Sequence, residues 1–167
     1  MENFLCVSRR PGEALEEVNK YFPMKASSKS PLKIYLGVNV VKVQLTNGVE
    51  AYAISMNQYL QEDVKNVEKY LYDHGLELLK KASTPLLTNY IPEVDGSPEL
   101  DEWEAAFYQS LIGILRKMVE MGRLDICMEV SVVSSSIAIP REDHFQKLVH
   151  LFAYLNIRHN TRLLFDP

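Results

Sequence analysis

The stretch VKVQLTNGVEAYAIS, residues 41–55, sets Asn47-Gly48 between two runs rich in Val, Ile, Tyr and Ala. An Asn-Gly pair enters left-handed backbone at little cost, so it predicts a two-residue turn and a β-hairpin over about 40–55. Upstream, Ile34, Leu36, Val38 and Val40 share one face at period two. After Val40 the phase slips to Val41, Val43 and Leu45, which predicts a bulge or bend between Gly37 and Val41. The first residues, MENFLCVS, read as a further short strand closed by Pro11-Gly12, and GEALEEVNKYF reads as a short helix with Leu15, Val18 and Phe22 on one face. Glu13, Glu16 and Glu17 lie toward the positive end of its dipole.

Beyond Met56 the period changes to that of a helix. Leu60, Val64, Val67 and Leu71 recur at spacings of four, three and four, and Gly75 is placed to end the helix. The Pro-rich STPLLTNYIPEVDGSPEL is a long surface connection. Asp101 and Glu104 have the spacing of a capping box, and Trp103, Phe107, Leu111, Ile114 and Met118 form the expected core stripe of the next helix. Ile112, Leu115 and Val119 broaden that stripe. Ile126, Val130, Val133 and Ile137 predict a further helix stopped by Pro140. Phe145, Leu148, Phe152 and Leu155 predict the last helix, and TRLLF a short closing strand. The expected class is α+β, with an N-terminal sheet fragment (residues 1–56, one helix and the hairpin) before a bundle of about four helices (57–167).

Composition limits function more by exclusion than by indication. The formal net charge of −4 and the scattered Lys and Arg supply no basic stripe for tight nucleic-acid binding. No apolar run approaches the roughly 20 residues that span a bilayer, and the first residues show no secretory pattern. A chain inside the cell, cytoplasmic or nuclear and without a membrane partner, is expected. Cys6 and Cys127 read as buried free thiols. No glycine-rich phosphate loop and no nucleophile elbow occur. His74, His144, His150 and His159 form no i,i+4 pair, so surface or helix-terminal histidines are expected rather than zinc ligands. Ser134-Ser135-Ser136 reads as helix-end polarity with no histidine paired to it, and the acids Glu99, Asp101, Glu102 and Glu104 read as capping rather than a metal cluster.

The order of short motifs resembles the reverse transcriptase of copia-type retrotransposons. Tyr35-Leu36-Gly37 matches that family's YLG strand, Asn47-Gly48 its primer-contacting hairpin, and Ser55 with Tyr59 the start of its thumb helix. Ser83-Thr84-Pro85-Leu86 matches its STPL connection. Tyr108, Ser110, Leu111 and Gly113 fit its Y-x-S-L-x-G helix. Arg123, Asp125 and Ile126 fit its R-P-D-I segment, with Leu124 in place of the proline. His144, Tyr154-Leu155 and the closing LLFDP follow in order.

The resemblance implies a palm remnant joined to thumb and connection. Glu2 and Asn3 would replace the two aspartates of the catalytic Y-x-D-D strand, with Met1 as its variable residue. The family uses Mg²⁺ there, and a hard cation needs anionic oxygen. Glu2 retains a carboxylate on a longer stem, whereas Asn3 has no charge. The resemblance therefore implies no polymerase activity and no cofactor in this chain. RNase H acids would follow Pro167, so that activity is not expected either. Lys42, Gln44 and Asn47 on the hairpin and Gln58 and Tyr59 on the next helix would make weak contact with an RNA–DNA primer–template. Lys147, Arg158 and Arg162 are lesser phosphate candidates. Met56 and Gln58 stand where the family has glutamine and lysine, and Ala153 and Asn156 where it has basic residues, which thins that contact. The same residues also fit a solvated hairpin and a core or rim tyrosine. The alternative is a protein-interaction or scaffold module that self-associates, or takes a partner, through apolar faces left exposed.

Overall fold

A computed structural model describes residues 6, 10–25, 33–86 and 95–165. The strand expected at MENFLCVS, apart from Cys6, lies outside the described residues, Glu2 and Asn3 included, as do residues 26–32 and 87–94. The elements run α1 (Pro11–Tyr21), β1 (Ile34–Tyr35), β2 (Val38–Gln44), β3 (Glu50–Ser55), α2 (Asn57–Asp73), α3 (Glu102–Glu120), a 3₁₀ turn (Leu124–Ile126), α4 (Cys127–Ser134), α5 (Glu142–Ile157) and β4 (Leu163–Phe165). The class is α+β, with a four-stranded antiparallel sheet in the order β1-β2-β3-β4 beside the helices.

Two local expectations are corrected. The slip in phase is not a bulge, because the β2–β3 ladder runs unbroken from Asn39↔Ser55 to Gln44↔Glu50. Val41 and Val43 lie on the opposite face of a continuous β2, and the chain turns earlier, in a second hairpin: Tyr35 pairs with Val38, and Leu36 and Gly37 both take positive φ, the backbone a tight turn between twisted strands requires. At Asn47-Gly48 the loop has three residues rather than two. Leu45 N donates to Val49 O at 2.8 Å, and Gly48 N donates to Leu45 O at 2.9 Å. Only Gly48 is left-handed there, because Asn47 Oδ1 accepts from Val49 N at 3.0 Å and holds Asn47 at negative φ.

The helices begin and end as their local chemistry dictates. Asp101 Oδ1 accepts from Glu104 N at 2.8 Å and Glu104 Oε2 from Asp101 N at 3.2 Å, a complete capping box. After α2, Leu76 N donates to Leu71 O and Gly75 N to Tyr72 O, the paired bonds of a glycine-terminated helix. The same pair closes α3, from Arg123 N to Met118 O and from Gly122 N to Val119 O. Gly122 is doubly required. Its φ is 114°, and an added Cβ would meet Ile54 Cδ1 at 3.0 Å and two Leu163 atoms at 3.3 Å. The end of α3 thus rests directly against β3 and β4.

One core runs from sheet to helices. Val38 and Met56 join Leu60, Val64 and Val67 of α2, Leu111 to Met118 of α3, Val130 and Val133 of α4, and Leu148 to Leu155 of α5. Each large side chain fully buried here contributes about 1.5–3 kcal/mol. The stripe of α3 is rotated from expectation. Tyr108, Leu111, Ile112, Leu115 and Met118 are buried, while Trp103 is 61% exposed and Phe107 and Ile114 are half-buried. Packing of α4 on that side decides it, and the Tyr108 hydroxyl donates to Val133 O at 2.6 Å. α4 stops at Ser134, so Ile137 lies past its end. Among the described residues no helix is long and apolar enough to cross a membrane.

Candidate functional site

Lys42, Gln44 and Asn47 lie on the β2–β3 hairpin, and Gln58 and Tyr59 on the first turn of α2, which follows β3 with only Met56 between. From the Asn39–Ser55 pair to the loop, the hairpin extends roughly 20 Å. Asn47 at the tip therefore stands far from Gln58 and Tyr59 at the base, and the five residues are spread along the hairpin rather than gathered at one point. Lys42 is not a free cation: its Nζ lies 3.1 Å from Glu50 Oε2 and 5.8 Å from the Tyr52 ring centroid. The hydrogen bond and charge of Glu50 raise its pKa above the ordinary lysine value. Gln44, Asn47 and Gln58 are exposed and Tyr59 is half-buried. Of the lesser candidates, Arg158 and Arg162 are exposed. Lys147 is mostly covered, 3.7 Å from Asp95 Oδ2.

Tyr59 belongs to a charged cluster that the sequence did not reveal. Lys117 Nζ of α3 sits 4.6 Å from the Tyr59 ring centroid. One turn along α2, Asp63 is only 8% exposed and its Oδ2 has no hydrogen-bond partner. Burial, reinforced by Glu62 and opposed by Lys117, raises the Asp63 carboxyl to about 6. Burial and then the Asp63 charge also raise Tyr59.

A second polar cluster binds the segment before α3 to the start of α5. Ser97 Oγ and N both donate to Asp95 Oδ1, at 2.6 and 3.0 Å. Arg141 Nη1 donates to Ser97 O at 2.7 Å, and Arg141 Nη2 to Glu99 Oε1 at 3.1 Å. His144 Nε2 stands 2.9 Å from Asp95 Oδ2 and 3.2 Å from Ser136 Oγ, so the serine run does have a histidine beside it, contrary to expectation. The arrangement is nonetheless not a nucleophile–base–acid relay. Such a relay needs serine and carboxylate on opposite ring nitrogens. Here both face Nε2, while Nδ1 accepts from Arg141 N at 3.1 Å and leaves the ring proton on Nε2. Burial lowers the His144 pKa, against the attraction of Asp95 and with help from Lys147 and Arg141. For Asp95 burial acts upward, but the Ser97 hydrogen bonds and the His144 and Lys147 charges prevail and its pKa is lowered. This is a clamp.

Other expectations divide. Ser135 Oγ donates to Val132 O at 2.7 Å and Ser134 Oγ accepts from Arg116 Nε at 3.2 Å, as helix-end polarity requires. Asp101 and Glu104 cap α3, whereas Glu99 pairs with Arg141. Both cysteines are free, but neither is buried: Cys6 is half-buried and Cys127 exposed. His150 is also corrected: it is buried at 7% exposure in mid-helix, with Nε2 2.9 Å from Thr84 O. Arg123, 3% exposed, places its guanidinium on both Asp125 oxygens at 2.8 Å. Among the described residues no group of three or more His, Cys, Asp or Glu is arranged to hold a metal ion.

The far end of the α2–α3 pair holds a feature that sequence periodicity misassigned. The rings of Tyr70, His74, Trp103 and Phe107 stack there, with Tyr70–Phe107 centroids 4.6 Å apart and Trp103–Phe107 centroids 5.8 Å apart at an 11° tilt. An open groove of about 360 Å³ runs along them, lined also by Asn66, Lys69 and Asp73. Compared with protein-family models, curated proteins and solved structures, the chain matches none.

Proposed function

We propose that this chain is a non-catalytic binding module, built like the end of the palm with the thumb and connection of a copia-type reverse transcriptase, which contacts an RNA–DNA primer–template weakly inside the cell. The observation that carries the reading is the continuity of hairpin and helix. Lys42, Gln44 and Asn47 spread along a hairpin of roughly 20 Å, and Gln58 and Tyr59 follow at the start of the next helix, a spread that favours an elongated duplex over a compact ligand. Affinity is low because Lys42 already neutralises Glu50 and the chain is net acidic. Nucleotide addition is not part of the function, since Asn3 supplies no anionic oxygen where the resemblance calls for a metal ligand.

Titration of a labelled RNA–DNA hybrid across a salt series tests this. The expected result is a Kd of about 1–100 μM at low salt, weakening with a log–log slope of about −1 to −3. Absence of binding at 20 mM salt would remove the reading. A second reading, a protein-interaction module without nucleic-acid binding, draws support from the exposed Tyr52, Leu164 and Phe165 of β3 and β4 and from the exposed Trp103.

A further inference from the structure

The aromatic groove lies at the end of α2 away from Gln58 and Tyr59, about 20 Å along the helix axis at 1.5 Å per residue. Trp103 is 61% exposed, yet it is not loose. Phe107 and Tyr70 stack against it at centroid distances of 5.8 and 5.6 Å, and Phe145 meets Tyr70 edge-on at 5.1 Å. A large ring already held by its neighbours loses little further freedom when a partner covers it.

Charge around that ring selects the partner. Glu102 and Glu104 flank Trp103 in sequence, Asp101 precedes them, and Asp73 lines the groove from α2. Asp101 and Glu104 cap the helix, which fixes their carboxylates in place without removing their charge. Lys69 is the one cationic side chain among the described lining residues. Asp73 and Lys69 offset each other within the lining, and Asp101, Glu102 and Glu104 make the start of α3 beside it net acidic, which disfavours a phosphate backbone. Those carboxylates leave a second copy's apolar surface with unpaired acids to cover. A guanidinium satisfies both halves of the site, since its flat face stacks on an indole while its N–H groups reach carboxylates. We propose that the α2–α3 groove docks a basic, extended segment of a partner protein, with an arginine side chain lying on Trp103.

The site goes beyond any contact with nucleic acid, and it carries its own reporter because Trp103 is the only tryptophan in the chain. The experiment follows Trp103 emission while adding a nine-residue synthetic peptide with two arginines among leucines, a matched peptide with glutamate at those positions, and an RNA–DNA hybrid in separate titrations. The arginine peptide is expected to shift or quench the emission with a Kd of about 10–100 μM, and salt is expected to weaken it. The glutamate peptide and the hybrid are expected to leave the emission unchanged.

With a fluorescein-labelled arginine peptide read by anisotropy, Trp103→Leu should abolish binding. Glu102→Lys, an exposed change that leaves the ring stack intact, should weaken it about fivefold or more. An equal response to the glutamate peptide, a response to the hybrid instead, emission that changes with protein concentration alone, or full binding by Glu102→Lys would each overturn the proposal.

Discussion

Helices α2 and α3 lie antiparallel, and their two ends are finished in opposite ways. At the sheet end Tyr59 already holds a cation, Lys117, and Gly122 lets the end of α3 touch Ile54 and Leu163. Arg123 is locked onto Asp125 just beyond. At the other end Trp103 presents a stacked ring to solvent among carboxylates. A cation against an aromatic face is completed internally at one end, whereas at the other the ring is left open. A closed end serves stability. Under the proposed docking, an open end held rigid from behind serves contact.

The largest expected effect tests how firmly the sheet end is locked. Asp125→Ala leaves the buried Arg123 guanidinium without its carboxylate and should cost about 3 kcal/mol in chemical denaturation. A loss below about 1 kcal/mol would mean that this end is not closed as described.

Asp63 gives the next effect, with a distinctive pH dependence. Its folded pKa is raised from 3.8 to about 6, so between those values the folded state binds more protons than the unfolded state. Its contribution therefore favours folding below about pH 4, declines as pH rises to 6, and stays at its least favourable level above that. Asp63→Asn should stabilise the protein at pH 7 by on the order of 1 kcal/mol. The same variant should flatten the change in stability between about pH 4 and 6, read from melting temperatures across that range.

Lys117→Met removes the cation over Tyr59 and should cost about 0.5–1 kcal/mol. It should also raise the Asp63 pKa further, which NMR titration of the carboxyl can follow. Glu102→Gln at the open end should cost only about 0.3–0.5 kcal/mol, through the dipole of α3. Equal losses from the two variants would erase the contrast between the ends. Lys42→Gln should leave stability almost unchanged and reduce the salt slope of hybrid binding by about one at most.

Much of this protein was legible in the order of its residues because the deciding interactions are local. Asp101 and Glu104 cap a helix three residues apart, Gly75 closes α2 through bonds within one turn, and the runs around Asn47-Gly48 pair with each other. The hairpin residues proposed for nucleic-acid contact could be located the same way. The Leu36-Gly37 turn was hidden because a leucine occupies a left-handed position that usually signals Gly or Asn. The three-residue loop was hidden because the Asn47 side chain, not the dipeptide alone, sets the backbone.

Other outcomes depended on which surfaces meet. Helix α3 is apolar around most of its girth, so its period could not say which side would be buried. The approach of α4 and the bond from Tyr108 to Val133 chose one side and left Trp103 outside. Lys117 reaches Tyr59 and Asp63 from another helix, and Asp95, Ser136 and His144 come from separate segments, so nothing in their spacing announces those meetings. The order of residues determined the short-range pieces, since caps, turns and periodicity act over a few residues. Only folding decided which ring was covered and which was left open, because burial and charge environment belong to neighbours brought together from distant positions.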